Sequence, residues 1–200
     1  MLIDFNYSFR LLSALVFILL AFYLRLKKLR SFSYLLFFGA FYFYMMLVIN
    51  YTQFPIITDL DPTYHSLSEA FVFVPNHPFT DFNTSMFLNT LLTIPFGFLV
   101  PFLKKVNFKL IFKYGLILTL SIELLQLSVY LLLGAHNRHI DINDFIYNMF
   151  GVILGYFLFK LFCVIFLSLM TKFKIDSNTF LEFILKIAKD YQLKNKQAEN

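Results

Sequence analysis

The chain has 200 residues, of which 59% are hydrophobic and only 14% carry a charged side chain, and its formal net charge is +5. Soluble domains carry about a quarter charged residues, so this composition excludes an ordinary soluble protein and is typical of a helical membrane protein. The lysines and arginines cluster in loops beside apolar segments, which argues against a nucleic-acid partner. The single cysteine, Cys163, excludes an internal disulfide.

Five apolar segments have about the length of 20 residues that a helix needs to cross a bilayer. The first is short, but Arg10 and Arg25 at its ends can snorkel. A signal peptide is the alternative for that segment, which lacks a basic leading region and a clear cleavage site. We therefore predict an all-α, polytopic membrane protein with five transmembrane helices. They cover residues 11–24, 32–51, 85–103, 110–133 and 144–169.

Two other segments complete the predicted organisation. Residues 53–83 form a long acidic connection whose apolar middle, 67–74, is expected to lie on the membrane surface or to re-enter it. After the last span, Thr179 and Glu182 fit a capping box. The apolar residues that follow recur with helical spacing, which predicts an amphipathic helix at the lipid interface, with a solvated tail as the alternative. The domains are then 1–170, transmembrane, and 171–200, a basic cytoplasmic tail.

Charge determines the predicted orientation. With five spans, the basic loops 25–30 and 104–113 and the basic tail 172–196 fall on one side of the membrane. The positive-inside rule assigns that side to the cytoplasm, so the predicted topology is N-out and C-in. The acidic connection and the loop 134–143 then face outwards.

Polar residues interrupt the last two spans at helical spacing. Each set falls at i, i+4, i+7 and i+11, which is one stripe of a helix. Two such stripes on consecutive antiparallel helices most economically face each other, with Glu123 and Gln126 about two turns below the outer surface. Arg138 and Asp141 would lie at the rim of the resulting pocket, and Asn89 at a similar outer depth on the third span. The stripes are Thr119, Glu123, Gln126 and Tyr130, and Asp144, Asn148, Gly151 and Gly155.

Structural roles compete with this interpretation. Gly151 and Gly155 form a Gly-x-x-x-Gly spacing, which is more typical of close helix packing than of a ligand site. Gln126 and Asn148 could bond to each other. Asp144, or Asn143 before it, could cap a helix, and Pro95 and Gly97 could only kink the third span. Glu123 is the hardest to explain this way, because a carboxylate inside a membrane must be paired, protonated or wetted.

A metal site is the weaker alternative. His136 and His139 stand close to Asp141 and Asp144, but His-x-x-His in a loop lacks the spacing of an established site. We expect neither a metal nor another cofactor.

Three motifs resemble those of the VanZ family of bacterial membrane proteins, named for a teicoplanin-resistance accessory protein. They match in order and separation, and the resemblance covers about residues 76–160. It implies a multi-pass protein of the bacterial cytoplasmic membrane with a role in envelope physiology or in tolerance of glycopeptide and lipoglycopeptide antibiotics. The motifs are Asn89-Thr-Leu-Leu-Thr-Ile-Pro95-Phe-Gly97, Ser121-Ile-Glu123-Leu-Leu-Gln126, and Arg138-His-Ile-Asp141-Ile-Asn-Asp144-Phe-Ile-Tyr-Asn148-Met-Phe-Gly151, continued by Gly155.

The polar residues predict a pocket that binds an anionic envelope component, either a membrane lipid or a lipid-linked cell-wall precursor. Arg138 would pair with phosphate or carboxylate, and Asp141 and Asp144 would hold Arg138 or act on a proton. The amides of Asn89, Gln126 and Asn148 would orient the ligand by hydrogen bonds.

Two other functions use the same residues. A membrane-embedded enzyme acting on a lipid-linked phosphate or ester would use Glu123 as general acid and Asp144 as base. A proton-coupled transporter would use Glu123 as the proton carrier, although no inverted repeat is evident. The sequence leaves the ligand, the presence of catalysis and the oligomeric state open.

Overall fold

The computed structural model describes residues 2–57, 71–72, 74–75, 84–133, 140–173 and 178–198. Five of its helices are long and apolar enough to cross a membrane, which confirms the predicted all-α class and the five spans. A sixth, more polar helix follows them. The helices are α1 (Tyr7–Leu26), α2 (Phe32–Gln53), α3 (Thr84–Leu103), α4 (Phe108–Leu133), α5 (Ile142–Lys172) and α6 (Thr179–Ala198).

The helix ends differ from the predicted ones where a side chain caps the backbone. Asn6 accepts from the N–H groups of Ser8 and Phe9, so α1 starts four residues before the predicted 11 and reaches 20 residues. Asp141 caps α5 by accepting from the Asn143 N–H at 2.8 Å. The alternatives that Asp144 or Asn143 caps this helix are therefore wrong.

The predicted capping box of α6 is also wrong. Asn178 is the residue whose side-chain oxygen accepts from the N–H groups of Phe180 and Leu181, at 3.1 and 2.9 Å. Thr179 is the first helical residue instead of the cap. Asparagine is among the best N-cap residues, so it takes the position one residue before the threonine.

Four two-residue strands of the described structure gather at one end of the bundle. β1 (Leu2–Ile3) pairs antiparallel with β2 (Ile56–Ile57). β3 (Phe71–Val72) pairs in parallel with β4 (Ile140–Asp141), and the Asn143 amide donates to the Val74 carbonyl oxygen at 3.4 Å. The described part of the predicted 67–74 segment is therefore tied to the start of α5. Residues 67–70 lie outside the described residues.

Helices α3 and α5 form the closest helix pair of the bundle. Their backbones meet at Gly97, Gly151 and Gly155, where an added Cβ would overlap main-chain oxygens of the facing helix. Gly151 meets the Thr90 carbonyl and Gly155 meets the Ile94 carbonyl, so the two helices run parallel. Small residues allow this close approach in membrane proteins, where lipid provides no hydrophobic drive for helix association.

The core extends from α2 through α3, α4 and α5 to α6. Phe37 of α2 stacks on Phe102 of α3 at 4.2 Å between ring centroids, and Phe180 and Phe183 of α6 lie against Phe37. Ile184 and Ala188 of α6 are buried in the same core. The apolar face of α6 is therefore covered by protein, which corrects the prediction that it lies on lipid. The division into two domains at 170/171 stays a prediction.

The two ends of the bundle differ in chemistry. The end at which α2 and α4 finish and α3 and α5 begin carries the buried amides and carboxylates, and we call it the polar end. The opposite end carries residues 27–31, residues 104–107 and α6, and we call it the basic end. α1 packs on α2, and none of its residues is buried, so its apolar surface is available to lipid.

Candidate functional site

A hydrogen-bonded joint between α3 and α5 forms one wall of the site. The Asn89 side-chain amide donates to Oδ1 of Asp144. One turn further along α3, the Thr93 hydroxyl donates to the Asn148 carbonyl oxygen at 2.7 Å, and the Thr90 hydroxyl lies 3.3 Å from the Tyr147 carbonyl oxygen. These contacts follow from the close glycine packing, because threonine hydroxyls reach a neighbouring backbone only when the helices nearly touch.

A cavity of about 540 Å³ opens beside this joint at the polar end. Its wall combines leucine side chains with hydroxyl, amide and carboxylate groups, and its described lining contains neither lysine nor arginine. Ligand pockets typically combine an apolar surface with a few converging polar groups in this way. The lining residues are Tyr44, Leu47, Tyr51, Thr52, Ser85, Leu88, Asn89, Leu91, Leu92, Pro95, Gln126 and Asp144.

Pro95 shapes the α3 wall of the cavity. Proline has no N–H, so the carbonyl of Leu91, four residues earlier, loses its helical donor. Both residues line the cavity. In the same turn, the Tyr44 hydroxyl of α2 donates to the Leu92 carbonyl oxygen at 2.9 Å. The turn that precedes Pro95 therefore lacks one helical hydrogen bond at the wall of the cavity.

Gln126 brings α4 into the same cavity. Its Nε2 donates to the Thr52 carbonyl oxygen at the end of α2, at 3.3 Å. Its Oε1 is buried and has no hydrogen-bond partner among the described residues. A buried acceptor without a partner costs about 1–3 kcal/mol, so a donor from a ligand or a water molecule would be stabilising here.

Glu123 lies beside the cavity and outside its lining. The side chain is 4% exposed, and its Oε2 accepts from the Asp141 N–H at 3.3 Å. Its Oε1 lacks a hydrogen-bond partner within the described segments. Asp141 and Asp144 are close enough to interact with it electrostatically. Glu123 is therefore level with the start of α5, and its depth of about two turns below the outer surface stays a prediction.

The two polar stripes approach each other at the polar end, where Glu123 interacts with Asp144 and Gln126 lines the same cavity as Asp144. On α5, Gly151 and Gly155 face α3, and Asn148, 1% exposed, lies on the same side with its Oδ1 unpartnered within the described residues. On α4, Gln126 contacts α2. No hydrogen bond joins Gln126 to Asn148 in the described structure. Below Asp144 the facing-stripe prediction is wrong, because Gly151 and Gly155 pack against α3, which is more distant in sequence than α4.

The predicted site residues thus divide into three groups. Asn89, Gln126 and Asp144 converge on the cavity, while Glu123, Asp141 and Asn148 lie nearby in the protein. Arg138, with His136 and His139, lies outside the described residues. Among the residues that are described, no three histidine, cysteine or acidic side chains are arranged to hold a metal ion.

Several lining residues were missed by the sequence analysis, notably Tyr44, Tyr51, Thr52 and Ser85. Tyrosines near helix ends are ordinary interfacial residues, so their type alone carries no signal. Thr52 and Ser85 stand at the polar-end termini of α2 and α3. Their position at the same depth as Asn89 and Gln126 was the one feature that could have indicated that they line the cavity.

Comparison with known proteins supports the motif resemblance. A family model described as VanZ/LLP1 matches residues 41–163, more than half of the chain. The chain belongs to the VanZ/LLP1 family. The match begins within α2 and ends within α5, so it includes the helices that surround the cavity. No curated protein and no solved structure gives a match.

Proposed function

We propose that this VanZ/LLP1 family protein binds an anionic envelope component, a lipid or a lipid-linked cell-wall precursor, in its polar-end cavity. The convergence of Asn89, Gln126 and Asp144 on a single cavity carries the proposal. These residues come from three helices and are distant in sequence. The leucines of the lining would receive acyl or isoprenoid chains, and the polar groups would receive the head.

In this proposal, Arg138 supplies the positive charge that an anionic ligand needs. The described lining contains one ionisable carboxylate, Asp144, and no cation. A single residue separates Arg138 from β4, whose Asp141 contacts Glu123. Arg138 would pair with the phosphate or carboxylate of the ligand, because a guanidinium binds such groups with two parallel hydrogen bonds. Asp141 and Asp144 would orient it, and Asn148 would support the α3–α5 wall.

The polar end faces outwards in this proposal, because the lysine-rich loops at the other end belong in the cytoplasm. The cavity then opens in the outer leaflet of the bacterial cytoplasmic membrane, where glycopeptide antibiotics meet cell-wall precursors. A role in envelope physiology or in tolerance of glycopeptide and lipoglycopeptide antibiotics would follow from ligand binding there.

Binding is favoured over catalysis by the position of Glu123. A general acid must reach the reacting atom within about 3 Å or through one water, and Glu123 is outside the cavity lining. The enzyme alternative, with Glu123 and Asp144 as acid and base, retains one supporting observation, the electrostatic interaction between their side chains. A proton-coupled transporter has no comparable support in the described structure.

The test is mass spectrometry of lipids that copurify with the protein. Leu91→Trp places a large side chain in the cavity, and Leu125→Trp is its matched control, because both leucines are 50% exposed but only Leu91 lines the cavity. We expect Leu91→Trp to lose one lipid class that the wild type and Leu125→Trp retain. Arg138→Ala should lose the same class. An identical lipid profile in all four proteins contradicts the proposal, and retention by Arg138→Ala alone contradicts the role of Arg138.

A further inference from the structure

A second cavity, of about 330 Å³, lies at the basic end of the bundle. Its walls come from the α1–α2 loop, the end of α3 and α6. Among the described residues, five cationic side chains line it, together with one carboxylate, Asp190. The cations are Lys28, Arg30, Lys104, Lys105 and Lys186.

The positive charge of this cavity is largely uncompensated. Lys105 pairs with Asp190, the one carboxylate of the described lining, at 2.6 Å. The four remaining cations have no carboxylate partner among the described residues that line the cavity. Like charges held together repel one another and attract an anion from outside.

The cationic groups are positioned by other contacts. The Arg30 guanidinium lies over the Tyr34 ring, with Cζ 4.7 Å from the ring centroid, and the Lys104 ammonium donates to the Tyr114 hydroxyl at 2.6 Å. Arg25 donates to the Arg30 carbonyl oxygen at 2.9 Å, which holds the α1–α2 loop in its turn. These contacts restrict the conformations of the cationic side chains before any ligand is bound. Less conformational entropy is therefore lost when an anion binds.

The inner surface of the cavity is apolar. Phe102, which is 3% exposed, and Pro101 form the floor, and Phe183 and Ile187 of α6 form a side. In addition, Leu29 lies at the rim with 82% of its surface exposed. A free inorganic anion gains nothing from apolar walls, whereas the glycerol and upper acyl segments of a phospholipid do.

We propose that the basic-end cavity is a specific site for a phosphate-ester anion, the headgroup of an anionic glycerophospholipid. Arg30 and Lys28 contact the phosphate from the α1–α2 loop, and Lys104 and Lys186 contact it from the opposite walls. Because α6 contributes Lys186 and part of the apolar wall, the bound lipid would hold α6 against the bundle. This site is separate from the polar-end cavity and does not depend on what that cavity binds.

The experiment compares two variants with the same change of charge at the same end. Lys28→Gln/Arg30→Gln/Lys186→Gln removes three cations of the cavity, and Lys109→Gln/Lys113→Gln/Lys189→Gln removes three exposed lysines outside its lining. Purified proteins are titrated with phosphatidylglycerol and, separately, with phosphatidylcholine, and bound lipid is counted by native mass spectrometry. Cys163, the buried sole cysteine, reports by its reactivity whether each variant is folded.

We expect the wild type and the second variant to retain phosphatidylglycerol in preference to phosphatidylcholine, and the cavity variant to lose about tenfold or more in apparent affinity. An equal loss in both variants would mean that surface charge alone attracts the lipid, and would overturn the site. Glycerol phosphate is added in a further arm. If it binds as tightly as the lipid and displaces it, the cavity takes a soluble anion and the lipid assignment is wrong.

Discussion

The side-chain amide of Asn89 in α3 donates a hydrogen bond to Oδ1 of Asp144 in the first turn of α5. Both residues line the polar-end cavity. The bond therefore joins two helices and, at the same time, fixes the orientation of the one carboxylate in the described lining. It makes Asn89 a residue whose loss affects both the stability and the shape of the cavity.

Asn89→Ala should destabilise the protein by about 1–3 kcal/mol, because it removes a donor from a half-buried carboxylate. Thermal unfolding in detergent, followed through the reactivity of the buried Cys163 thiol, measures this change. Phe87→Ala is the control, since Phe87 is in the same turn but 53% exposed and outside the cavity. Equal melting temperatures for Asn89→Ala and the wild type would mean that the bond contributes nothing.

Gly151→Ala should be destabilising by about 1–3 kcal/mol or more, as overpacking usually is. Its Cβ would meet the Thr90 carbonyl, which is main chain and cannot rotate away. Gly39→Ala is the matched control, because its Cβ would meet only the Phe17 ring edge at 3.4 Å, an ordinary contact. The same unfolding assay compares them. Similar melting temperatures for both variants would contradict the close α3–α5 contact.

The number of spans could be predicted from sequence because each apolar run is long and nearly free of charge. The buried stripe of α4 could also be predicted, because Thr119, Glu123 and Gln126 are polar residues at helical spacing in an otherwise apolar helix. The helix that packs most closely against α5 could not be predicted from the sequence. Gly151 and Gly155 indicate a close approach, but glycine specifies no partner, and the α3 residues that receive them lie about 60 positions earlier.

The docking of α6 shows the same limit. Its apolar periodicity predicts one covered face, and lipid or protein could cover it equally well. The ring contacts of Phe180 and Phe183 with Phe37 show that protein covers this face. Aromatic contacts of this kind depend on the tertiary arrangement of α2, which local sequence does not encode.

The N-out, C-in orientation of the bundle is a prediction from loop charge, and it can be tested directly. Reporter fusions after Lys28, after Lys105 and at Asn200 should give a cytoplasmic signal, and insertions near Asp61 and Asn137 an external one. The basic end then lies in the cytoplasm and the polar-end cavity outside. An external signal at Asn200 would reverse the bundle and refute the outward-facing cavity.

Glu123→Gln separates a functional carboxylate from a structural one. The Asp141 N–H requires an acceptor, which glutamine also provides. The substitution removes a buried ionisable carboxyl group that lies close to Asp141 and Asp144. If Glu123 is only structural, the variant should be as stable as the wild type or more stable, and fully active, because an unpaired buried charge is costly.

If the site needs a negative charge or a proton at this position, Glu123→Gln should keep its melting temperature yet lose the cellular phenotype. That phenotype is measured as growth in the presence of a lipoglycopeptide. Arg138→Gln should behave likewise when Arg138 binds the anionic ligand. Should Arg138 serve only to neutralise Glu123, the double variant Glu123→Gln/Arg138→Gln would recover activity, which a double-mutant cycle on both readouts detects. Full activity in Glu123→Gln alone would mean that the function does not need the Glu123 carboxylate. The cavity residues Asn89, Gln126 and Asp144 would then be sufficient without Glu123.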